Sequence, residues 1–92
     1  MPELSSTERK QLRGMAMNMK PAVNIGHAGL TENVLKEIDS ALARNELIKL
    51  RFAEGRDTMR QQCEEITEKL RCTLCGNVGH TASFYRKKPK EK

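Results

Sequence analysis

Apolar positions in this chain change period several times, and each change marks an element. Leu12, Met15, Ala16 and Met19 recur at i, i+3, i+4 and i+7, the stripe of an amphipathic helix. Ser5 and Glu8 stand before it at capping-box spacing. Arg9, Lys10 and Arg13 cluster beside the stripe near the helix start. Gly14 weakens the helix interior by about 1 kcal/mol relative to Ala, a cost that a close packing partner would explain. Pro21 ends the helix, because the residue before a proline avoids the α region. Ala22-Val23-Asn24-Ile25 then reads as a short strand. Past Gly26-His27-Ala28-Gly29, Thr31 can cap a second helix reaching Arg44, striped by Val34, Leu35, Ile38, Ala41 and Leu42.

Asn45-Glu46 breaks that pattern, and the period drops to two. Ile48, Leu50 and Phe52 alternate with Lys49 and Arg51, which predicts a strand with one face in the core. Glu54-Gly55-Arg56 makes a turn, and Asp57 can cap a third helix whose buried stripe is Met59, Cys63, Ile66 and Leu70. The stretch from Cys72 to Tyr85 has no helical period. It reads as two strands, Cys72 to Val78 and Thr81 to Tyr85, joined by a tight turn at Gly79-His80. The order is helix, strand, helix, strand, helix, strand, strand. That order predicts an α/β domain with some parallel pairing and a final antiparallel hairpin.

With 92 residues the chain is long enough for one domain and too short for two. Phe52, Phe84 and Tyr85 are its only aromatic residues, so aliphatic side chains and methionine must fill the core. No apolar run approaches the roughly 18 residues of a membrane span, and no signal-peptide core follows Met1. A cytoplasmic protein with no membrane partner is expected. Three cysteines, an odd number, argue against a secreted disulfide framework. No catalytic set emerges: Glu37 and Asp39 lie on a helix without a partner histidine, and no nucleophile elbow or oxyanion loop is present. An enzyme is not expected, nor a cofactor.

Charge and the glycine loop give the positive signal. Of the net charge of +5, Arg86 to Lys92 supply four, as five positive groups and one negative. Residues 87–92 therefore read as a basic, disordered tail on a domain spanning 1–86. Such a tail is either a solvated end or a phosphate-seeking arm. Gly26 and Gly29 let the backbone turn sharply and bare its N–H groups where the second helix adds its positive dipole end. A phosphate suits that place, and in a chain this basic its natural owner is a nucleic acid. A GxxG tetrapeptide alone is also what an ordinary strand-to-helix turn looks like. His27 can donate to a phosphate or simply be an exposed loop histidine.

Leu12-Arg13-Gly14, then Lys20-Pro21-Ala22-Val23-Asn24-Ile25-Gly26-His27-Ala28-Gly29-Leu30-Thr31, resembles the CRM domain, the chloroplast RNA splicing and ribosome maturation module. The likeness continues through Val34 to Leu42 and Glu46 to Leu50, and resumes at Gly79-His80 and Phe84-Tyr85-Arg86. In length the chain is similar to the bacterial single-domain YhbY type. The resemblance implies a compact four-stranded mixed sheet with helices packed on it, similar to the C-terminal domain of translation initiation factor three. It also implies a monomeric RNA-binding protein that acts on ribosomal RNA or large-subunit precursors in ribosome assembly. Its RNA-binding residues would be Gly26, His27, Ala28 and Gly29 with the neighbouring basic Arg13, Lys20, Arg86, Lys87 and Lys88. His27-Ala28 is less basic than many members of the family, which leaves more of the contact to backbone N–H groups.

Two other readings compete. Cys72-Thr73-Leu74-Cys75-Gly76-Asn77-Val78-Gly79-His80 has the start of a zinc-knuckle, which would make this a single-strand RNA binder using Cys72, Cys75 and His80. A knuckle needs a fourth ligand where Tyr85 stands, and structural zinc takes four. If the segment is a strand, residues three apart point to opposite faces roughly 10 Å apart and cannot share a metal. No metal site is expected. The second alternative is a ribosome-associated protein–protein scaffold whose basic surface is incidental.

Overall fold

The computed structural model describes residues 4–87. Three helices and four strands follow in the expected order: α1 (Ser6–Ala16), β1 (Val23–Ile25), α2 (Glu32–Arg44), β2 (Leu47–Phe52), α3 (Arg56–Leu70), β3 (Thr73–Val78) and β4 (Thr81–Tyr85). The strands form one mixed sheet in the order β1-β2-β4-β3. β1 runs parallel to β2, with Val23 opposite Leu50 and Ile25 opposite Phe52. A parallel pair cannot be closed by a hairpin, and α2 provides the crossover. β4 lies antiparallel to both β2 and β3.

The period-two pattern decides which face is dry. Ile48, Leu50 and Phe52 join Val23, Ile25, Ala82 and Phe84 on the face covered by α2 and α3. Ile38, Ala41 and Leu42 descend from α2, and Met59, Cys63 and Ile66 from α3. Phe52 and Phe84 are essentially sealed from solvent, and burial of a side chain of that kind contributes about 1.5–3 kcal/mol. The other face carries Lys49, Arg51 and Ser83, and only α1 crosses it, lying over β3, β2 and β4.

The first helix departs from its stripe. Its capping box forms as expected, with Glu8 N–H donating to Ser5 Oγ and Ser5 N–H to Glu8 Oε1. Yet of Leu12, Met15, Ala16 and Met19 only Ala16 is buried, and Met15 is 62% exposed. The helix rests on a polar sheet face and needs only a narrow contact. Gly14, expected to face a close neighbour, has open space where a Cβ would stand. The close approach lies across from it, where a Cβ on Gly76 of β3 would overlap the Arg13 side chain.

Boundaries and register also move: α1 ends at Ala16, β1 begins at Val23 and β3 at Thr73. α3 begins at Arg56 on Gly55, which gives no side-chain cap, so Asp57 sits inside the first turn instead of capping it. In β3 the pairing steps from Leu74–Phe84 to Gly76–Ser83, leaving Cys75 as the extra residue of a bulge.

Candidate nucleic-acid interface

Three loops meet at one end of the sheet, and the pairing dictates it. β1 and β2 both run toward that end, so the loop after Ile25 and the turn after Phe52 lie side by side. The Val78–Thr81 pair brings the β3–β4 turn to the same end. Backbone bonds tie the three together: Ala53 N–H donates to Ile25 O at 3.0 Å, and Phe52 N–H to His80 O at 2.7 Å. Gly79 takes φ +58° at the first central position of that two-residue turn, as hairpins of this kind require.

Gly26-His27-Ala28-Gly29 is a closed turn. Gly29 N–H donates to Gly26 O at 3.0 Å, and Thr31 N–H to Gly29 O at 3.0 Å. Gly29 has φ +79°, a region that side chains with a Cβ avoid, whereas Gly26 lies outside it. Both glycines close the turn, but the expectation of positive φ holds only for Gly29. Thr31 caps α2 through Oγ1, which accepts from Val34 N–H at 3.2 Å. The N–H groups of His27 and Ala28, at the crest of the turn, have no partner among the described residues. They precede the N-cap of α2, Thr31, by four and three residues.

His27 is not an idle loop histidine. Its Nδ1 lies 2.9 Å from Glu54 Oε1, which ties the glycine turn to the β2–α3 turn while most of the imidazole stays exposed. Beneath the turn, Gln62 of α3 is buried, and its Nε2 lies 3.5 Å from where a Cβ on Gly29 would be. Its Oε1 is buried without a hydrogen-bond partner. The apolar stripe of α3 gave no sign of Gln62, because a buried amide has no place in a hydrophobic period.

The other site candidates are spread over the domain: Arg13 lines a hollow with Val78 and Thr81 beside the β3–β4 turn, and Arg86 lies elsewhere. Arg86 follows β4 at the opposite end, where its N–H donates to Glu46 O at 2.9 Å. Its guanidinium donates to Asp39 Oδ1 at 2.7 Å, to Leu70 O at 3.0 Å and to Asp39 O at 3.1 Å. Arg86 thereby joins β4 to α2 and to the last turn of α3, and its charge is answered by Asp39. Lys87 is exposed beside it, Lys88 lies outside the described residues, and Arg13 and Lys20 are exposed on and after α1. Basic residues that the topology places toward this end are Arg51, paired with Asn24, and Arg56, two positions past Glu54. Their signal in the sequence was topological: Arg51 lies near the C-terminal end of β2 and Arg56 opens α3 just after it, where a parallel neighbour of β1 must end.

The cysteines of the CxxC separate. Cys72 lies in the core, its Sγ 3.7 Å from Ile66 O, while Cys75 sits under α1 beside Arg9. Burial pushes both thiols up, Cys72 to about 12 and Cys75 to about 11, with Arg86 and Arg9 respectively opposing the shift. Cys72, just before β3, faces the core, whereas Cys75 faces α1, so the two thiols do not converge on one tetrahedral ion.

A four-stranded mixed sheet with its crossover helix following a glycine turn defines a compact α/β domain. The profile of the CRS1/YhbY (CRM) domain matches residues 4–86, and the chain belongs to that family. A Pseudomonas aeruginosa relative, named Probable RNA-binding protein PA4753, is 36% identical over 95% of this chain and 85% of its own. A Haemophilus influenzae relative, named RNA-binding protein, is 36% identical over 94% of this chain and 88% of its own. The solution structure of SAV1595 from Staphylococcus aureus superposes with a TM-score of 0.86 at 31% identity, covering 98% of this chain and 95% of that one.

Proposed function

We propose that this protein binds RNA through the loop end of its sheet, with the turn Gly26–Gly29 as the phosphate contact. The observation that carries the reading is the pair of unpartnered N–H groups of His27 and Ala28 at the start of α2. Free backbone amides just ahead of a helix N-terminus can complement an anion without any side-chain charge. Relatives named as RNA-binding proteins support RNA as the owner of that anion. Scarce aromatic residues make the recognition a matter of phosphates and shape more than of base stacking. The setting is ribosome assembly in the cytoplasm, on ribosomal RNA of the large subunit, with the protein acting as a monomer that binds and does no catalysis. Lys87, at the opposite end of the domain, and the basic sequence that follows it add a salt-sensitive contact.

The test is a double substitution of the crest, His27→Asp with Ala28→Asp. Both positions are exposed, so stability should move by no more than about 0.5 kcal/mol beyond the loss of the Glu54 contact. Repulsion between a carboxylate and a phosphate near 4 Å is about 1 kcal/mol in water-like surroundings. Two such carboxylates, with the lost N–H bonds, should weaken RNA binding about 10- to 100-fold. A folded double variant that binds RNA like the parent would reduce the loop to a turn.

A further inference from the structure

A groove runs between α3 and β3 on the face away from α1, with a volume of about 580 Å³. That is within the range of small-ligand sites. Met59, Cys63 and Leu74 form its apolar floor, and Asn77 stands at its rim. Its charges are polarised along α3. Arg56 and Arg60, one helical turn apart and exposed, stand at the end that also includes Gly79. Glu64 and Thr67 stand at the far end. Gly79 belongs to the β3–β4 turn, and Arg56 follows the turn whose Glu54 holds His27, so the cationic end opens onto the three-loop end of the sheet.

We infer that this groove is a nucleotide subsite: it takes one unstacked base of a single-stranded RNA segment, with the adjoining phosphate on Arg56 and Arg60. The inference rests on the RNA reading of the glycine turn and extends it by a second, separate contact. Charge complementarity selects the occupant. A phosphate is favoured at the arginine end and repelled at the Glu64 end, which fixes the strand so that it arrives from the glycine turn. The apolar floor accepts any base, guanidinium planes can stack on it, and the Asn77 amide supplies the hydrogen-bonding edge. A single strand leaving the glycine turn would then place its next nucleotides over Arg56 and into the groove.

The probe is octauridylate RNA titrated into the full chain, followed by methyl NMR at Met59 and Leu74 and amide NMR at His27 and Ala28. Affinities of Arg60→Glu and Arg60→Gln are measured alongside. We expect the groove methyls and the loop amides to shift together, Arg60→Glu to weaken binding about tenfold, and Arg60→Gln to weaken it less. Loop amides that shift while the methyls stay still, with Arg60→Glu binding as the parent does, would overturn the subsite and leave the loop reading intact. Methyls that shift while the loop amides stay still would support the subsite and remove the loop. Silence at both would overturn the two together. Groove methyls that broaden as protein concentration rises without RNA would give the groove to a second copy of the chain and overturn the proposal.

Discussion

Single residues here divide into those that make the fold and those left free to serve it. Gly29 is held at φ +79°, whereas Gly26 is neither in that region nor near any atom that a Cβ would touch. Gly29→Ala should therefore cost about 1–2 kcal/mol through backbone strain alone. Gly26→Ala should leave the melting curve within about 0.5 kcal/mol of the parent. If a phosphate approaches the turn closely, Gly26→Ala will nonetheless lower RNA affinity, and thermal melts paired with binding isotherms separate the two effects. Arg86 falls on the other side of the division. Its guanidinium satisfies Asp39 and the terminal carbonyl of α3 from a mostly covered position. Arg86→Ala should destabilise the domain by about 1.5–3 kcal/mol, the range for hydrogen bonds to a charged group, while the folded fraction binds RNA as before. Loss of RNA affinity at unchanged stability would return Arg86 to the interface.

At the level of elements, period and turn chemistry carried most of the architecture. The alternation of Ile48, Leu50 and Phe52 was legible because that strand has one dry face and one wet one. Helix α2 was legible because Thr31 caps it and its stripe enters the core. Helix α1 misled because the rule assumes that an apolar stripe faces an apolar surface, and α1 lies on the polar side of the sheet. Distant pairing was out of reach as well: nothing local in Arg86 shows that Asp39 waits for it, and nothing in α3 marks Gln62 as buried. The loop was readable as a turn, but its neighbours Glu54 and Arg56 follow only from the strand order. An open Gly14 within α1 makes its own prediction. Gly14→Ala should raise stability by about 0.5–1 kcal/mol, seen as a higher melting temperature with unaltered RNA binding. A drop would mean that α1 sits closer to the sheet than its open position 14 indicates.

For the molecule as a whole, the three thiols set its response to alkali. Burial raises Cys63 to about 11, Cys72 to about 12 and Cys75 to about 11. In the unfolded chain they ionise near about 8.5. Their folded pKa values lie above the unfolded ones, so the contribution is complete below about pH 8.5 and is lost as pH rises toward 11–12. Denaturant midpoints should decline across that window, and replacement of all three by Ser or Ala should flatten the decline. At pH 8 the native protein should react slowly with a thiol reagent, and all three thiols should become available together on unfolding.

The sheet also decides how the domain can be joined to anything else. Ser6 and Arg9 of α1 line a hollow with Cys75, while Met17, just past its end, lines another with Val78 and Thr81, so α1 starts away from the glycine turn and runs toward it. Tyr85 pairs with Leu47, at the end of the sheet away from the glycine turn. The described chain thus enters and leaves on one side, and its three loops occupy the other. Such a layout works like a plug on a cable. A fluorophore, a resin or a second domain attached ahead of α1 or after Arg86 would join the described fold on the side away from the loops, and the loop end would remain free to meet its target. A permuted chain that links the old termini and opens elsewhere would keep that orientation, provided that the new break spares the turns at 26–29, 53–55 and 79–80.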